Sequence, residues 1–138
     1  MKNETHIKQT FTKAERLCSK REIDRLFAEG QSFILFPYSI RWHIETGKSG
    51  DVASRVLINV SKRRFRHAVD RNRVKRLMRE CYRIHKHKLN EYIESRGLSI
   101  TLSINYIHKE IMNYTMLCQK MEKLTETLIK EIGKEMDK

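Results

Sequence analysis

The chain holds five glycines and one proline among 138 residues, and nowhere the glycine-rich run that cradles a nucleotide phosphate. No apolar stretch reaches the roughly 18–20 residues that a membrane span needs. The start, MKNETHIKQTF, lacks the continuous apolar core of a signal peptide, so export is not expected. Cys18, Cys81 and Cys118 are odd in number and far apart. That spacing fits neither a disulfide framework nor a set of zinc ligands, and predicts three buried or half-buried thiols in a reducing cytosol. The histidines make no metal pair: His85 and His87 diverge by about 200° on a helix. His6, His43, His67 and His108 have no local partner at metal-site spacing. Glu91 and Glu94 share a helical face with nothing nearby to activate them, so acid/base chemistry is not expected of them.

What the chain has is positive charge, and it is concentrated. Between Ser61 and Lys88 stand twelve basic side chains opposed only by Asp70 and Glu80, so this fifth of the chain carries +10 of a net charge of +12. Like charge at that density repels itself unless a polyanion neutralises it, and a nucleic-acid backbone is the commonest such partner. About two-fifths of the residues are apolar, too many for a disordered basic tail. The length fits one domain, residues 1–138, with residues 1–10 expected to be disordered and Phe11 and Leu17 as possible anchors.

Local patterns predict an α+β fold. Ser19-Lys20-Arg21-Glu22 reads as a capping box, and the helix after it, with Ile23, Leu26 and Phe27 on one face, should close at Gly30 in a left-handed conformation. Strand character follows from Gln31 to Glu45, divided at Pro37, with Tyr38, Ile40, Trp42 and Ile44 alternating against Ser39, Arg41 and His43. Thr46–Asp51 is a loop by composition, and Arg55–Val60 is a third strand whose apolar density suggests a central place. Asp70 is the expected N-cap of a helix to about Asn90, with Val74, Leu77, Met78, Cys81, Ile84 and Leu89 as its apolar stripe. Asn72, Lys75, Arg76, Arg79, Arg83 and Lys86 gather on its other side. Ser95-Arg96-Gly97 breaks it, Ser99–Tyr106 is a fourth strand, and a last helix runs from about Asn113 to near Glu135.

A helix with Arg and Lys at one-turn spacing can track a phosphate backbone, each Arg presenting a planar fork. No helix-turn-helix pair precedes it, so the residues alone favour RNA over DNA.

The run Ala68-Val69-Asp70-Arg71-Asn72-Arg73-Val74-Lys75-Arg76-Leu77-Met78-Arg79-Glu80 resembles the signature of the bacterial ribonuclease P protein subunit. Leu17–Gly30 is similar to the family's first helix and Val60-Ser61-Lys62-Arg63 to its strand end, so that the likeness covers about residues 11–130. The resemblance implies an αβββαβα order, a mixed four-stranded sheet with helices packed on it, and a left-handed crossover through the basic helix. It implies a cytoplasmic partner of a catalytic RNA that removes the 5′ leader of precursor tRNA. The RNA performs the hydrolysis with Mg²⁺, and the protein binds no cofactor and carries no catalytic residue. By the same resemblance, Arg71, Asn72, Arg73, Lys75, Arg76 and Arg79 face the catalytic RNA, while Lys62 and Arg63 lie by the leader path; Arg66 and Arg83 are further candidate RNA-binding residues. Ile23, Phe27 and Tyr38 match a cleft that holds leader nucleotides. The chain departs from many members in carrying Phe65 where they have Gly, in a loop one residue longer, and Ile23 where Phe is common. Two alternatives are a ribosome-associated module that binds structured RNA without catalysis, and a nuclease that cleaves unaided. The oligomeric state of the free protein is left open.

Overall fold

The computed structural model describes residues 13–45 and 53–138. The expected disorder of residues 1–10, the anchor at Phe11 and the loop at Thr46–Asp51 fall outside those residues. A short 3-10 turn, Lys13–Glu15, precedes α1 (Lys20–Glu29), β1 (Gln31–Leu35), β2 (Tyr38–Glu45), β3 (Ser54–Val60), α2 (Ala68–Ser95), β4 (Ser99–Tyr106) and α3 (Tyr114–Met136). The strands form one mixed sheet in the order β1-β2-β4-β3, antiparallel except for the parallel pair β3 and β4, which α2 connects.

Each helix end has a visible cause. The Ser19 hydroxyl accepts from the Glu22 N–H at 3.3 Å, as the capping box predicts, but the Glu22 carboxylate turns to Arg55 instead of closing the box. Gly30 is not left-handed: its φ is −73° and its ψ 158°. Glycine is required there for space, because a Cβ would lie 2.4 Å from the Leu26 carbonyl and 2.9 Å from that of Trp42. The N-cap of α2 is His67, not Asp70; Asp70 sits in the first turn, where a carboxylate suits the positive end of the helix dipole. The same helix runs five residues past the expected Asn90, to Ser95, and Gly97 ends it with φ +68°. Asn113 caps α3, its Oδ1 accepting from the Met116 N–H at 2.9 Å.

The two faces of the sheet differ. One is apolar, with rows such as Ile40–Ile104–Ile58 and Trp42–Leu102–Val56 in register. Helices α2 and α3 seal it with Val74, Met78, Cys81, Leu89, Leu117, Met121, Leu124, Leu128 and Ile132. Tyr82 and Ile93 also belong to this core, though the stripe read from sequence omitted them. The Tyr82 hydroxyl lies 3.0 Å from Ser54 Oγ, and burial raises its pKa. β3 is an edge strand, contrary to its apolar pattern. Its residues are apolar because α2 covers one face and the main chain at Arg16 and Leu17 runs along its outer edge, with the Leu17 N–H donating to the Val56 carbonyl at 2.9 Å.

The cysteine expectation also fails. Cys81 and Cys118 form a disulfide across the seam between α2 and α3 (Cα–Cα 4.8 Å), and Cys18 is exposed. Thirty-seven residues of separation hid the fact that both thiols face one seam, so cysteine spacing carries no argument about compartment.

Candidate nucleic-acid interface

The opposite face of the sheet is polar, and α1 covers part of it. In register across the strands run two rows, Ile34–Ser39–Asn105–Asn59 and Ser32–Arg41–Ser103–Leu57. α1 is fixed over this face by the buried Leu26 and by two arginine–carboxylate pairs. Arg25 Nε donates to Glu45 at 3.1 Å, and Arg55 Nε to Glu22 at 3.2 Å. The paired carboxylate raises the pKa of Arg25. On the open side of α1, Phe27 is 47% exposed, Ile23 is half-buried, and the Arg41 guanidinium carbon lies 5.4 Å from the centre of the Phe27 ring.

The polar face runs into the basic loop. Asn59, Ser61, Arg63, Arg64, Asn105, Tyr106 and Ile107 line an open cleft of about 430 Å³ at the C-terminal ends of β3 and β4. No glycine is needed in this loop. Its turn is held by Ser61, whose carbonyl accepts from the N–H groups of Arg64 and Phe65 at 3.2 and 3.3 Å. The Phe65 ring packs against the core 6.1 Å from Tyr106, which answers what replaces the family glycine. Arg71 reaches back from α2, its Nη1 donating to the Phe65 and Arg66 carbonyls at 2.8 and 2.9 Å.

The cations read from sequence divide accordingly. Lys62, Arg63, Arg66, Arg73 and Arg76, with the neutral Asn72, are exposed and Lys75 is half-buried, in the loop and the first turns of α2. Arg71 is a part of the scaffold as well as of that basic segment. Arg79 is half-buried beside Arg16, Leu17 and Val56, and its pKa is lowered by desolvation and by the neighbouring Arg16 charge. Arg83 is held in a two-bond pair with Glu80 at 2.7 and 2.9 Å. Lys86 is not on the basic face at all: it is 4% exposed and paired with the buried Glu15.

Tyr38 is not a cleft residue. It is 0% exposed, its hydroxyl donates to the Leu117 carbonyl at 2.9 Å, and burial raises its pKa. Trp42 is core, as expected. Sequence reading missed Asn59, Arg64 and Asn105 as lining residues, and Arg41 beside the Phe27 ring. The period-two pattern already placed Arg41 on the polar side of β2, but the search for aromatics pointed to the other side. Among the described residues, no group of three or more His, Cys, Asp or Glu is placed to hold a metal ion. None of their helices is long and apolar enough to cross a membrane.

Comparison with known proteins gives a consistent result. A family model described as Ribonuclease P matches residues 11–129. The ribonuclease P protein component of Porphyromonas gingivalis is 38% identical over 114 residues, which is 82% of either chain. That of Chlorobaculum tepidum is 42% identical over 74 residues, 51% of this chain and 47% of the relative. Among solved structures, the RNase P protein of Staphylococcus aureus superposes with a TM-score of 0.65 at 20% identity, covering 84% of this chain and 96% of that one. The RNase P protein of Thermotoga maritima gives 0.60 at 21% identity, over 82% and 96%. At such identity these structures show the shared fold.

Proposed function

The chain belongs to the ribonuclease P protein family, whose members are the protein subunit of ribonuclease P, and we propose on that premise that it works in the cytoplasm as an electrostatic and geometric adaptor between two RNAs. The exposed cations of the loop and of early α2 bind the catalytic RNA. The polar face of the sheet, with Phe27 and Ile23 of α1 on one side and the cleft that Arg63 and Arg64 line at the ends of β3 and β4 on the other, takes the single-stranded 5′ leader of precursor tRNA. The holoenzyme is an endoribonuclease that cleaves at the mature 5′ end, and RNA-bound Mg²⁺ supplies the hydrolytic chemistry.

One observation carries the reading: Arg63 and Arg64 belong both to the exposed basic loop and to the lining of the polar cleft, so a single chain can touch both RNAs at once. Each phosphate that the cations neutralise releases counterions, giving a log–log salt slope of about −0.7 to −0.9 per phosphate. The protein's own residues bind and orient; they lower the repulsion between the polyanions and fix the leader, whose bases stack on an aromatic or guanidinium plane.

Reconstitution tests it. Purified protein, catalytic RNA, Mg²⁺ and precursor tRNA should give cleavage at the mature 5′ end at low magnesium. Omitting either macromolecule should abolish it under those conditions. Cleavage by the protein alone, or equal affinity of the holoenzyme for precursor and mature tRNA, would refute the proposal.

A further inference from the structure

Phe65 is the only apolar residue between Val60 and Ala68, in a segment that holds Lys62, Arg63, Arg64 and Arg66 and no carboxylate. The four cations are exposed, whereas the Phe65 side chain is half-buried and packed against the core. Cations spaced so closely repel one another, and the repulsion favours a splayed, mobile loop. The bonds from the Arg64 and Phe65 N–H groups to the Ser61 carbonyl shape the turn, but they lie within it and tie it to nothing else. Two contacts of Phe65 do: its carbonyl accepts from Arg71, and its ring lies 6.1 Å from that of Tyr106. The carbonyl bond survives any substitution, so the ring is the contact that side-chain identity controls. Tyr106 gives it a firm base. It is 2% exposed, and its hydroxyl donates to the Glu110 carbonyl at 2.7 Å while accepting from the Met112 N–H at 3.0 Å.

We propose that Phe65 is a positioning residue for RNA binding: its ring anchors the basic turn to Tyr106, so that Lys62, Arg63, Arg64 and Arg66 are held in place before any RNA arrives. The inference rests on the assignment of these cations to RNA. A turn already ordered in the free protein loses less conformational entropy on binding, so the same phosphate contacts yield a tighter complex. This role differs from a direct contact in two ways. Loosening the turn weakens binding without removing a charge, so the number of phosphates neutralised, and with it the salt slope, is unchanged. Anchoring also needs apolar bulk and not a ring as such, whereas stacking on a base needs the aromatic plane.

The test compares the full-length wild type with Phe65→Ala, Phe65→Val and Phe65→Leu, each checked by circular dichroism; where Phe65→Ala is unfolded, Phe65→Val takes its place. Backbone order parameters of residues 62–66, from NMR relaxation of the free protein, should fall in Phe65→Ala from about 0.85 to below about 0.6. Affinity for the catalytic RNA should fall about tenfold at an unchanged salt slope. Phe65→Leu should stay within about twofold of the wild type, because it keeps the apolar volume. In contrast, Lys62→Ala with Arg66→Ala, which removes charge and leaves Phe65, should flatten the slope by about 0.7–0.9 for each phosphate released. Unchanged order parameters in Phe65→Ala, or a loosened turn with wild-type affinity, overturn the proposal. So does a loss in Phe65→Leu as large as that in Phe65→Ala. If the variant lacking the Lys62 and Arg66 charges binds the catalytic RNA with wild-type affinity and slope, the assignment of these cations to RNA has itself failed.

Discussion

Arg76 and Lys86 stand ten residues apart on one helix, and they illustrate two populations of cation in this protein. Arg76 belongs to the exposed surface built by residues 62–76, where carboxylates are scarce. Lys86 is sealed between α2 and the 3-10 turn, with Glu15 facing it, much as Arg25 faces Glu45 and Arg55 faces Glu22. Charge count alone does not assign either role. A cation with a buried acid opposite it joins elements of the fold, and one without is available to a polyanion. Since Lys86 falls in the first group, the basic face of α2 is shorter than its sequence suggests.

The strongest way to break this division is Lys86→Ala. It removes the ammonium facing a buried carboxylate and should cost about 3–5 kcal/mol of stability, read by denaturant unfolding. Replacing Glu15 by Gln in the same chain should recover part of the loss, because the buried charge goes too. The converse variant, Arg73→Ala with Arg76→Ala, should leave the unfolding midpoint nearly unchanged while weakening RNA binding. Its log–log salt slope should flatten by about 0.7–0.9 for each phosphate that is no longer neutralised. A large fall in stability with an unaltered slope would erase the distinction between the two populations.

The smallest effect lies at Glu80, whose hydrogen bond to Arg83 holds its carboxyl below the ordinary carboxylate range. The folded pKa is depressed, so the pair's contribution is present above that range and lost as pH falls through the lowered value. An NMR titration should show Glu80 moving back up in Arg83→Ala, and no movement would mean that the pair does not form in solution.

Much of the architecture could be read from periodicity. The alternation of Tyr38–Ile44 and Ser99–Tyr106, the cap at Ser19 and the break at Gly97 each reflect local chemistry, and each appears where expected. What could not be read was tertiary. β3 looks central because a helix and an N-terminal segment cover an edge strand. The closure at Gly30 is a matter of neighbouring carbonyls, and the seam joining Cys81 to Cys118 needs two helices already packed. In the site, the signature at Ala68–Glu80 located the cationic surface, while Tyr38 was misplaced by the likeness to the family next to Pro37, although its alternation with Ile40 and Trp42 already put it on the buried side. Arg41 was legible as polar-facing, but its company with Phe27 depends on how α1 lies across the sheet.

The two hydrogen bonds from Arg71 to the carbonyls of Phe65 and Arg66 make the bend before α2 and the helix that follows a single mechanical unit. The first arginine of the Arg-Asn-Arg core acts as a pin for that bend, and Asn72 and Arg73 project outward because it does. Grafting a foreign loop between β3 and α2 would therefore misdirect the motif unless the new loop offered carbonyl oxygens at the same two places.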